Sequence, residues 1–343
     1  MKITGFRIYR DRLPLATPFV TALRHVDHAE FIVLELRTDR GLCALGSAPA
    51  TKAITGETLE SIEEVLQRRI VPVLLQQPFE LGALLKAAAA AVAGNSSAKA
   101  AADMALFALA AQAASMPLYR FLGGETAMPI KTAVTVSLGV PEKMAQKAAE
   151  LFASGCDILK IKVGGSDGLD ARRIMAVANA VPDAVLLVDA NQAWSAEETL
   201  NVIERCSGVR IALIEQPVAA QDLEGLREVT ARSPYPVLAD EAVFDAADAR
   251  RILEMEAADL INIKLMKCGG IAGALKIIDV CREYGKRCML GSMLEGPVSI
   301  TAALHLAAAR PDVFEWIDLD SPLLYAALPA DLPFSVEANR YAL

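Results

Sequence analysis

Aromatic residues, histidines and basic charge are all scarce in this chain of 343 residues. Only 5% of the residues are aromatic, so the predicted core is aliphatic. The chain has 34 Lys and Arg residues against 42 Asp and Glu residues, a net charge of −8, so it lacks the basic surface that nucleic-acid-binding proteins need. Its three dispersed histidines are too few for a histidine-based zinc site.

The sequence also lacks a Cys-x-x-Cys pair, a secretory leader and a long uninterrupted apolar run. Six scattered cysteines and an N-terminus without an apolar leader segment predict a cytoplasmic protein with reduced thiols. The most apolar stretch, residues 87–114, is interrupted by Lys99 and Asp103, so we expect neither a membrane span nor a membrane partner. An apolar content of 54% excludes a disordered chain.

Strand patterns followed by helical patterns occupy about the first 120 residues. The run FIVLELRTDRGLCALG predicts a hairpin that turns at residues 38–41. Helical patterns follow at 58–75, 81–92 and 98–115. We therefore predict an α+β domain over residues 1–122, which ends at a pair of glycines.

After residue 130, eight short aliphatic runs alternate with helical segments. This pattern is typical of parallel strands buried on both faces, and it predicts an α/β fold, a TIM-like barrel over residues 123–320 with a tail at 321–343 that returns to the first domain. An open doubly wound sheet is the alternative, but neither of the usual glycine-rich nucleotide loops is present. The eight runs lie at 131–138, 157–163, 184–191, 211–217, 236–240, 260–265, 287–293 and 314–320.

Charged residues recur at one height near the ends of these predicted strands. Lys162, Asp189, Glu215, Asp240 and Lys264 follow one another at intervals of 24 to 27 residues, about one βα repeat each. Because the strand ends of a barrel converge on one mouth, the three carboxylates should lie close together there. They would repel one another unless a cation joined them, and oxygen ligands of this kind suit Mg²⁺ or Mn²⁺.

The lysines predict acid–base chemistry at the same mouth. Lys160 and Lys162 are two residues apart, so they share one face of a strand. Their repulsion, a metal cation and burial would together lower a lysine pKa from ~10.4 toward the ~7–8 that suits a general base. Lys264 is expected opposite Lys162, so one lysine can remove a proton from one face of a carbon and the other can return one to the opposite face. We interpret Lys267 as a solvated loop residue.

Several motifs spread over the predicted barrel carry a resemblance to a known family. KIKVGG, VDANQAW, IEQP, ADEA, DLINIKLMKCGGI and GSM resemble the enolase superfamily, muconate-lactonising-enzyme subgroup. The resemblance implies an α+β capping domain over a (β/α)7β barrel, with Mg²⁺ bound by Asp189, Glu215 and Asp240. It also implies that Lys162 and Lys264 are the acid and base around an enediolate. Lys160 would contact the carboxylate of the substrate.

Within that subgroup the chain is most similar to the dipeptide epimerases, through FVTALR, AITGET, TVSL and the Asp-Leu-Asp sequence after the last strand. In that group the Asp-x-Asp pair binds the free ammonium of the substrate, which implies this role for Asp318 and Asp320. The TVSL motif adds Thr135 to the substrate-binding residues, and Arg24 would face a glutamate side chain. The expected reaction is the Mg²⁺-dependent inversion of L-Ala-L-Glu to L-Ala-D-Glu, as in cell-wall peptide recycling, and we expect a homo-oligomer.

Other functions remain open from the sequence. Muconate cycloisomerase, o-succinylbenzoate synthase and N-acylamino acid racemase share the chemistry, but their diacid or N-blocked substrates have no use for Asp318 and Asp320. A Schiff-base aldolase needs one buried lysine and does not need three aligned carboxylates. A non-catalytic metal- or peptide-binding barrel would not need lysines on both sides of the metal.

Overall fold

The computed structural model describes residues 1–343, and an antiparallel sheet covered by helices forms its N-terminal unit. The first two strands form a long hairpin, and the third strand pairs with the second. The elements are β1 (Ile3–Val20), β2 (His25–Thr38), β3 (Cys43–Pro49), α1 (Lys52–Thr55), α2 (Leu59–Val65), a π-helical turn (Leu66–Ile70), α3 (Val71–Leu74), α4 (Leu81–Ala90), α5 (Ser96–Ala113) and α6 (Leu118–Phe121).

The predicted features of this unit are present. The turn predicted at residues 38–41 connects β2 to β3, and Gly41 there has a φ of +76°, which a glycine adopts without strain. The alanine-rich helix α5 is buried on almost every side, because small side chains let it pack closely against β3 and α4. The turn at residues 21–24, between β1 and β2, faces the barrel, where Leu138 donates a backbone hydrogen bond to Val20.

Eight parallel strands in sequential order form the second unit. Strand 1 of the barrel pairs with strand 2 and so on to strand 8, and each crossover between neighbours contains a helix, so the predicted (β/α)7β barrel is confirmed. After the short strand β4 (Ile130–Lys131), the barrel strands are β5 (Val134–Val136), β6 (Ile158–Lys162), β7 (Val185–Asp189), β8 (Ile211–Glu215), β9 (Val237–Ala239), β10 (Leu260–Lys264), β11 (Cys288–Gly291) and β12 (Phe314–Asp318).

The crossover helices surround this sheet, and several begin at side-chain caps. Ser195 accepts a hydrogen bond from the backbone of Glu198, and Asp222 and Asp245 cap two further helices. No helix of the chain combines the length and hydropathy needed to cross a bilayer. The helices are α7 (Pro141–Ala153), α8 (Asp170–Ala180), α9 (Ala196–Arg205), α10 (Leu223–Arg232), α11 (Ala246–Glu254), α12 (Leu265–Cys268), α13 (Ile271–Glu283), α14 (Pro297–Ala309) and α15 (Ser321–Leu324).

The two-residue repeat of the strands decides which side chains enter the barrel. Leu187, Leu213 and Leu238 meet in one interior layer, whereas their neighbours Leu186 and Ile214 pack outward with the helices. Two residues beyond each interior leucine, on the same face, the chain places Asp189, Glu215 and Asp240. The apolar layer therefore lies directly beneath the charged residues of the barrel mouth.

The ends of the barrel sheet meet through side chains as well as backbone. Ala133 donates a backbone hydrogen bond to Ile317, and Leu319 donates to Thr132 Oγ1 at 2.8 Å. The chain after β12 first contacts the hairpin, where Ala326 donates to the Pro14 carbonyl. It then forms β13 (Ser335–Glu337) and β14 (Arg340–Ala342); β13 pairs with β14, and β14 pairs with β4. The domain bounds 1–122, 123–320 and 321–343 stay predictions.

Candidate active site

Lys160 is the centre of a buried ionic network at the mouth of the barrel. Its Nζ lies 2.6 Å from Glu215 Oε2, 2.7 Å from Asp318 Oδ2 and 3.1 Å from Asp189 Oδ2. The side chain is 1% exposed, so these contacts replace its entire hydration shell. Its predicted contact with a substrate carboxylate stays a prediction.

Two further lysines flank this network on opposite sides. Lys162 Nζ, on β6, donates to Asp189 Oδ2 at 2.6 Å, and Lys264 Nζ, on β10, donates to Asp240 Oδ2 at 2.7 Å. The strands β6 and β10 are four positions apart in a ring of eight, so the two ammonium groups approach the mouth from opposite walls. The ring of Phe19 covers Lys162 at 5.9 Å.

Two lysines of the mouth have pKa values above the usual range. Burial lowers the pKa of Lys160, but the carboxylates of Asp318, Glu215 and Asp189 outweigh it and raise the pKa well above its usual value. At Lys264 burial again lowers the pKa, and the carboxylates of Asp240, Glu215 and Glu241 together raise it further than burial lowers it. Direct pairing with carboxylates therefore dominates at Lys160 and Lys264. The predicted lowering, which concerns Lys160 and Lys162 beside a metal cation, stays a prediction.

Carboxyl groups outnumber the cationic groups at this mouth. Six buried carboxyl groups face four buried ammonium groups, and Arg24 adds one further positive charge in the cavity, so one excess negative charge would remain if every carboxyl group were ionised. Burial and the neighbouring Asp189 raise the pKa of Glu215 to about 8, and burial and Asp240 raise that of Glu241 to about 7. The six carboxylates are Asp189, Glu215, Asp240, Glu241, Asp318 and Asp320, and the four lysines are Lys160, Lys162, Lys264 and Lys267.

This charge excess fits a divalent cation. Asp189 and Glu215 end two neighbouring strands, Asp240 directly follows the next one, and all three offer the carboxylate oxygens that Mg²⁺ prefers. No three His, Cys, Asp or Glu side chains of the chain converge on a common point in the arrangement seen here, because ammonium groups lie between the carboxylates. The residue types and the local charge therefore fit Mg²⁺, and the ligand assignment stays a prediction.

Four polar residues that the strand-end spacing did not single out complete the network. Lys267, predicted to be solvated, is 2% exposed and donates to Asp240 Oδ1 at 2.6 Å, so that prediction is wrong. It lies on the helical turn α12, which folds back over the strand end.

Asn262 donates to Glu215 Oε1 at 2.9 Å. It precedes Lys264 by two residues, so the strand repeat could have revealed it. Asn191 donates to Glu241 Oε1 at 3.2 Å, and both residues lie two positions or fewer from predicted ligands.

Asp318 and Asp320 lie together on the other side of Lys160. Asp318 uses Oδ2 for Lys160, whereas its buried Oδ1 has no hydrogen-bond partner. Asp320 Oδ2 accepts a hydrogen bond from the backbone of Thr135 at 2.7 Å. Burial, with Asp318 adding to it, raises the pKa of Asp320 to about 6. Carboxylate capacity therefore remains for a cation that enters here.

Arg24 reaches the same cavity from the hairpin turn at residues 21–24. Its guanidinium stacks over the Phe19 ring at 5.3 Å, and it makes no salt bridge or side-chain hydrogen bond within the chain. Burial lowers its pKa to about 10. A shielded cation without an acidic partner is ready to bind an anion.

The structure brings all ten predicted site residues to one place. Eight line a single cavity between the barrel mouth and the capping unit, and Asp189 and Glu215 are fully buried beneath it. Residues of the capping unit, among them Ala53 and Ile54, complete the wall. The eight are Arg24, Thr135, Lys160, Lys162, Asp240, Lys264, Asp318 and Asp320.

Comparison with known proteins finds the same two-part organisation. The mandelate racemase / muconate lactonizing enzyme N-terminal domain matches residues 3–123, and the enolase C-terminal domain-like family matches residues 143–343. An L-amino acid-D/L-Glu epimerase of Sulfurimonas denitrificans is 46% identical over 342 residues, 97% of either chain. An L-Ala-D/L-Glu epimerase of Bacillus subtilis is 42% identical over 94% of this chain and 89% of that protein.

Two solved structures of dipeptide epimerases have the same fold as this chain. A substrate-liganded complex of the Bacillus subtilis L-Ala-D/L-Glu epimerase superposes with a TM-score of 0.96 at 38% identity, over 100% of this chain and 96% of that one. The dipeptide epimerase of Enterococcus faecalis, in complex with Mg and the dipeptide L-Leu-L-Tyr, gives a TM-score of 0.95 at 37% identity, over 100% and 97% of the two chains.

Proposed function

Because this chain belongs to the mandelate racemase / muconate lactonizing enzyme family of the enolase superfamily, we propose that it is a Mg²⁺-dependent isomerase that inverts the Cα of the second residue of a dipeptide. The observation that carries the proposal is the pair of lysines on opposite walls of the mouth, Lys162 and Lys264, with a cluster of buried carboxylates between them. Assembly as a homo-oligomer and the use of Mn²⁺ stay predictions.

The two lysines would perform the proton transfer. With Mg²⁺ held by Asp189, Glu215 and Asp240, Lys162 and Lys264 would no longer have these carboxylates as partners, so one of the two lysines can be neutral. The neutral lysine removes the Cα proton from one face of the substrate, and the ammonium of the other delivers a proton to the opposite face. Mg²⁺ held by Asp189, Glu215 and Asp240 would stabilise the negative charge that develops on the substrate carboxylate. Lys160, held among three carboxylates, stays protonated and adds a fixed positive charge beside the same carboxylate.

The carboxylates of Asp318 and Asp320 support a substrate with a free amino group. The unpaired Oδ1 of Asp318 lies within the cavity wall and would accept a hydrogen bond from an ammonium. An N-acylated amino acid would leave these buried charges unmatched, at a cost of several kcal/mol. A dipeptide therefore fits this end of the cavity better than the N-blocked substrates of related racemases.

Arg24 supports an acidic side chain on the residue that is inverted. It is the cation of the cavity that has no acidic partner in the chain, and its planar fork matches a carboxylate. Lys160, Lys162 and Lys264, by contrast, already pair with carboxylates. We therefore propose L-Ala-L-Glu, inverted to L-Ala-D-Glu, as the preferred substrate.

A dipeptide library in D₂O tests the proposal. The wild-type protein, with Mg²⁺, is incubated with L-Ala-L-Xaa dipeptides that share the first residue and differ in the second. We expect deuterium at the Cα of the second residue, together with inversion, and the highest rate for L-Ala-L-Glu. The absence of both labelling and inversion in every dipeptide would contradict the proposal.

A further inference from the structure

One buried carboxylate ties the long capping helix α5 to the barrel. Asp103, in the middle of α5, is 5% exposed and accepts hydrogen bonds from the backbone N–H groups of Ile271, at 2.5 Å, and Ala272, at 3.2 Å. These two residues begin α13, and the first N–H groups of a helix have no partner within the helix. A side chain of one structural unit therefore caps a helix of the other.

The barrel backbone leaves room for this carboxylate at Gly270. This residue has a φ of +111°, and a Cβ placed on it would lie 2.3 Å from Asp103 Oδ1. Any other residue would both strain the backbone and displace the carboxylate. Gly270 and Asp103 are thus a matched pair across the contact between the two units.

The turn that Asp103 holds is the direct continuation of the strand that carries Lys264. The chain leaves β10 at Lys264, forms the single helical turn α12 and reaches Gly270 within six residues. The turn α12 packs against α5, and its Lys267 donates to Asp240 Oδ1 at 2.6 Å. Lys264 Nζ donates to the other oxygen of the same carboxylate at 2.7 Å. Lys264 and Lys267 therefore share one carboxylate, which couples the Lys264 ammonium to the position of α12.

Helix α5 is also hydrogen-bonded to the part of the capping unit that lies next to the cavity. Glu57, 3% exposed, accepts hydrogen bonds from the backbone of Ser97 at 2.9 Å and of Ala98 at 3.1 Å, in the first turn of α5. Ala53 and Ile54, a few residues before Glu57, line the cavity. Helix α5 therefore connects the segment after the cavity-lining helix α1 with the turn that follows Lys264.

We propose that Asp103 is a positioning residue for Lys264: through Gly270 and α12 it holds the Lys264 ammonium where it exchanges a proton with the substrate Cα. This inference rests on the proposed two-lysine reaction. A contact that only stabilised the fold would change the amount of active enzyme and slow every step equally. A positioning contact slows only the steps that need Lys264.

The two lysines give separable signals in D₂O. When Lys162 removes the Cα proton of one epimer, the C–H bond breaks and the proton passes to Nζ, where it exchanges with solvent. Lys162 can then return a deuteron to the same face, which labels the substrate without inverting it. Inversion of that epimer needs delivery from Lys264. A misplaced Lys264 therefore raises the ratio of labelling without inversion to inversion, for that epimer alone.

The variants Asp103→Asn and Gly270→Ala each disturb the contact between Asp103 and Gly270, and so test the positioning role. The first keeps one acceptor oxygen and removes the charge, and the second keeps the charge and pushes the carboxylate away. With each epimer of L-Ala-Glu in D₂O at about pH 8, we expect the ratio of labelling without inversion to inversion to rise roughly three- to tenfold for one epimer in both variants. The reason is that small displacements of reacting groups cost large factors in rate. Asp103→Asn alone decides the outcome if Gly270→Ala does not fold.

Asp222→Asn is the matched control. Asp222 accepts a hydrogen bond from Gly225 at 2.8 Å and caps α10, and a Cβ on Gly225 would lie 2.2 Å from its carboxylate, but it has no contact of this kind with the capping unit. The ratio of labelling without inversion to inversion in Asp222→Asn should equal that of the wild type. An unchanged ratio in folded Asp103→Asn, whatever its total rate, would overturn the positioning role. A wild type that neither labels nor inverts any dipeptide would overturn the proposed function, and this inference with it.

Discussion

Thr135 donates its backbone N–H to Asp320 Oδ2 at 2.7 Å, so a carboxylate completes the seam between the first and last strands of the barrel. The residues are 185 positions apart, and no backbone acceptor of β12 serves this N–H group. Asp320 therefore combines two tasks, closing the barrel and offering negative charge to the proposed substrate ammonium.

These two tasks should separate by mutation. Asp320→Asn keeps an acceptor oxygen for Thr135 but removes the charge, so we expect a thermal midpoint close to that of the wild type and a kcat/KM for L-Ala-L-Glu lower by about 10²-fold or more, corresponding to a few kcal/mol. Asp320→Ala should lose both stability and activity. Calorimetry and steady-state kinetics on the pair check this, and equal thermal midpoints for the two variants would exclude the seam role.

Arg24 should determine the preference for an acidic second residue. In Arg24→Met the apolar stem remains on Phe19 while the charge is gone, so kcat/KM for L-Ala-L-Glu should fall by about 10²-fold, with little change for L-Ala-L-Leu. Lys52→Met, at the exposed first residue of α1, is the control and should behave as wild type. If the wild type prefers L-Ala-L-Leu or L-Ala-L-Lys, the assignment of an acidic side chain is wrong, although dipeptide epimerisation survives.

Removal of divalent metal should stop turnover. Carboxyl groups outnumber cationic groups at the mouth, and the raised pKa values of Glu215 and Glu241 show that these two groups bind positive charge readily. We expect a chelator to abolish epimerisation and Mg²⁺ to restore it, with Mn²⁺ as a second test. Asp240→Asn should weaken metal binding and rate together. Full activity in excess chelator would refute the metal requirement.

Asp103 should make the stability of the fold pH-dependent. Burial raises its pKa to about 7, and hydrogen bonds from Ile271 and Ala272 oppose that rise only in part. Its carboxyl therefore binds a proton more readily in the folded chain. Its contribution to stability is complete below the unfolded pKa of ~3.9 and is lost as pH rises through about 7.

The comparison of wild type with Asp103→Asn isolates this effect, because the variant has no titrating group at the position. Calorimetry at pH 5 and pH 8 should find the wild type less stable, relative to the variant, at the higher pH. The same difference in thermal midpoint at both values would show that Asp103 does not titrate in this range.

The barrel and most of the site could be predicted because both depend on local repeats. Strands return about every 25 residues, and the two-residue period sends Lys160, Lys162 and Asp189 to the interior. Lys267 escaped this reasoning because it lies on a helical turn, where that period does not apply. The seam between Thr135 and Asp320 depends on which distant strands meet, which no local pattern contains.

The raised pKa of Lys160 could not be predicted from the sequence for a related reason. Residue spacing reveals which charges share the mouth, but the pKa depends on which of them touch. Lys160 has three carboxylates within 3.1 Å, and this pairing decides its protonation. The cap of α13 by Asp103 likewise joins two units that the sequence presents as separate domains.

The central claim, two lysines acting on opposite faces of one carbon, is tested most directly by Lys162→Ala and Lys264→Ala with each epimer of L-Ala-Glu in D₂O. We predict that neither variant inverts the substrate, and that each still exchanges the Cα proton of one epimer, a different one for each variant, while Lys52→Met exchanges and inverts both. Inversion at the wild-type rate in either lysine variant, or exchange of the same epimer by both, would contradict the account.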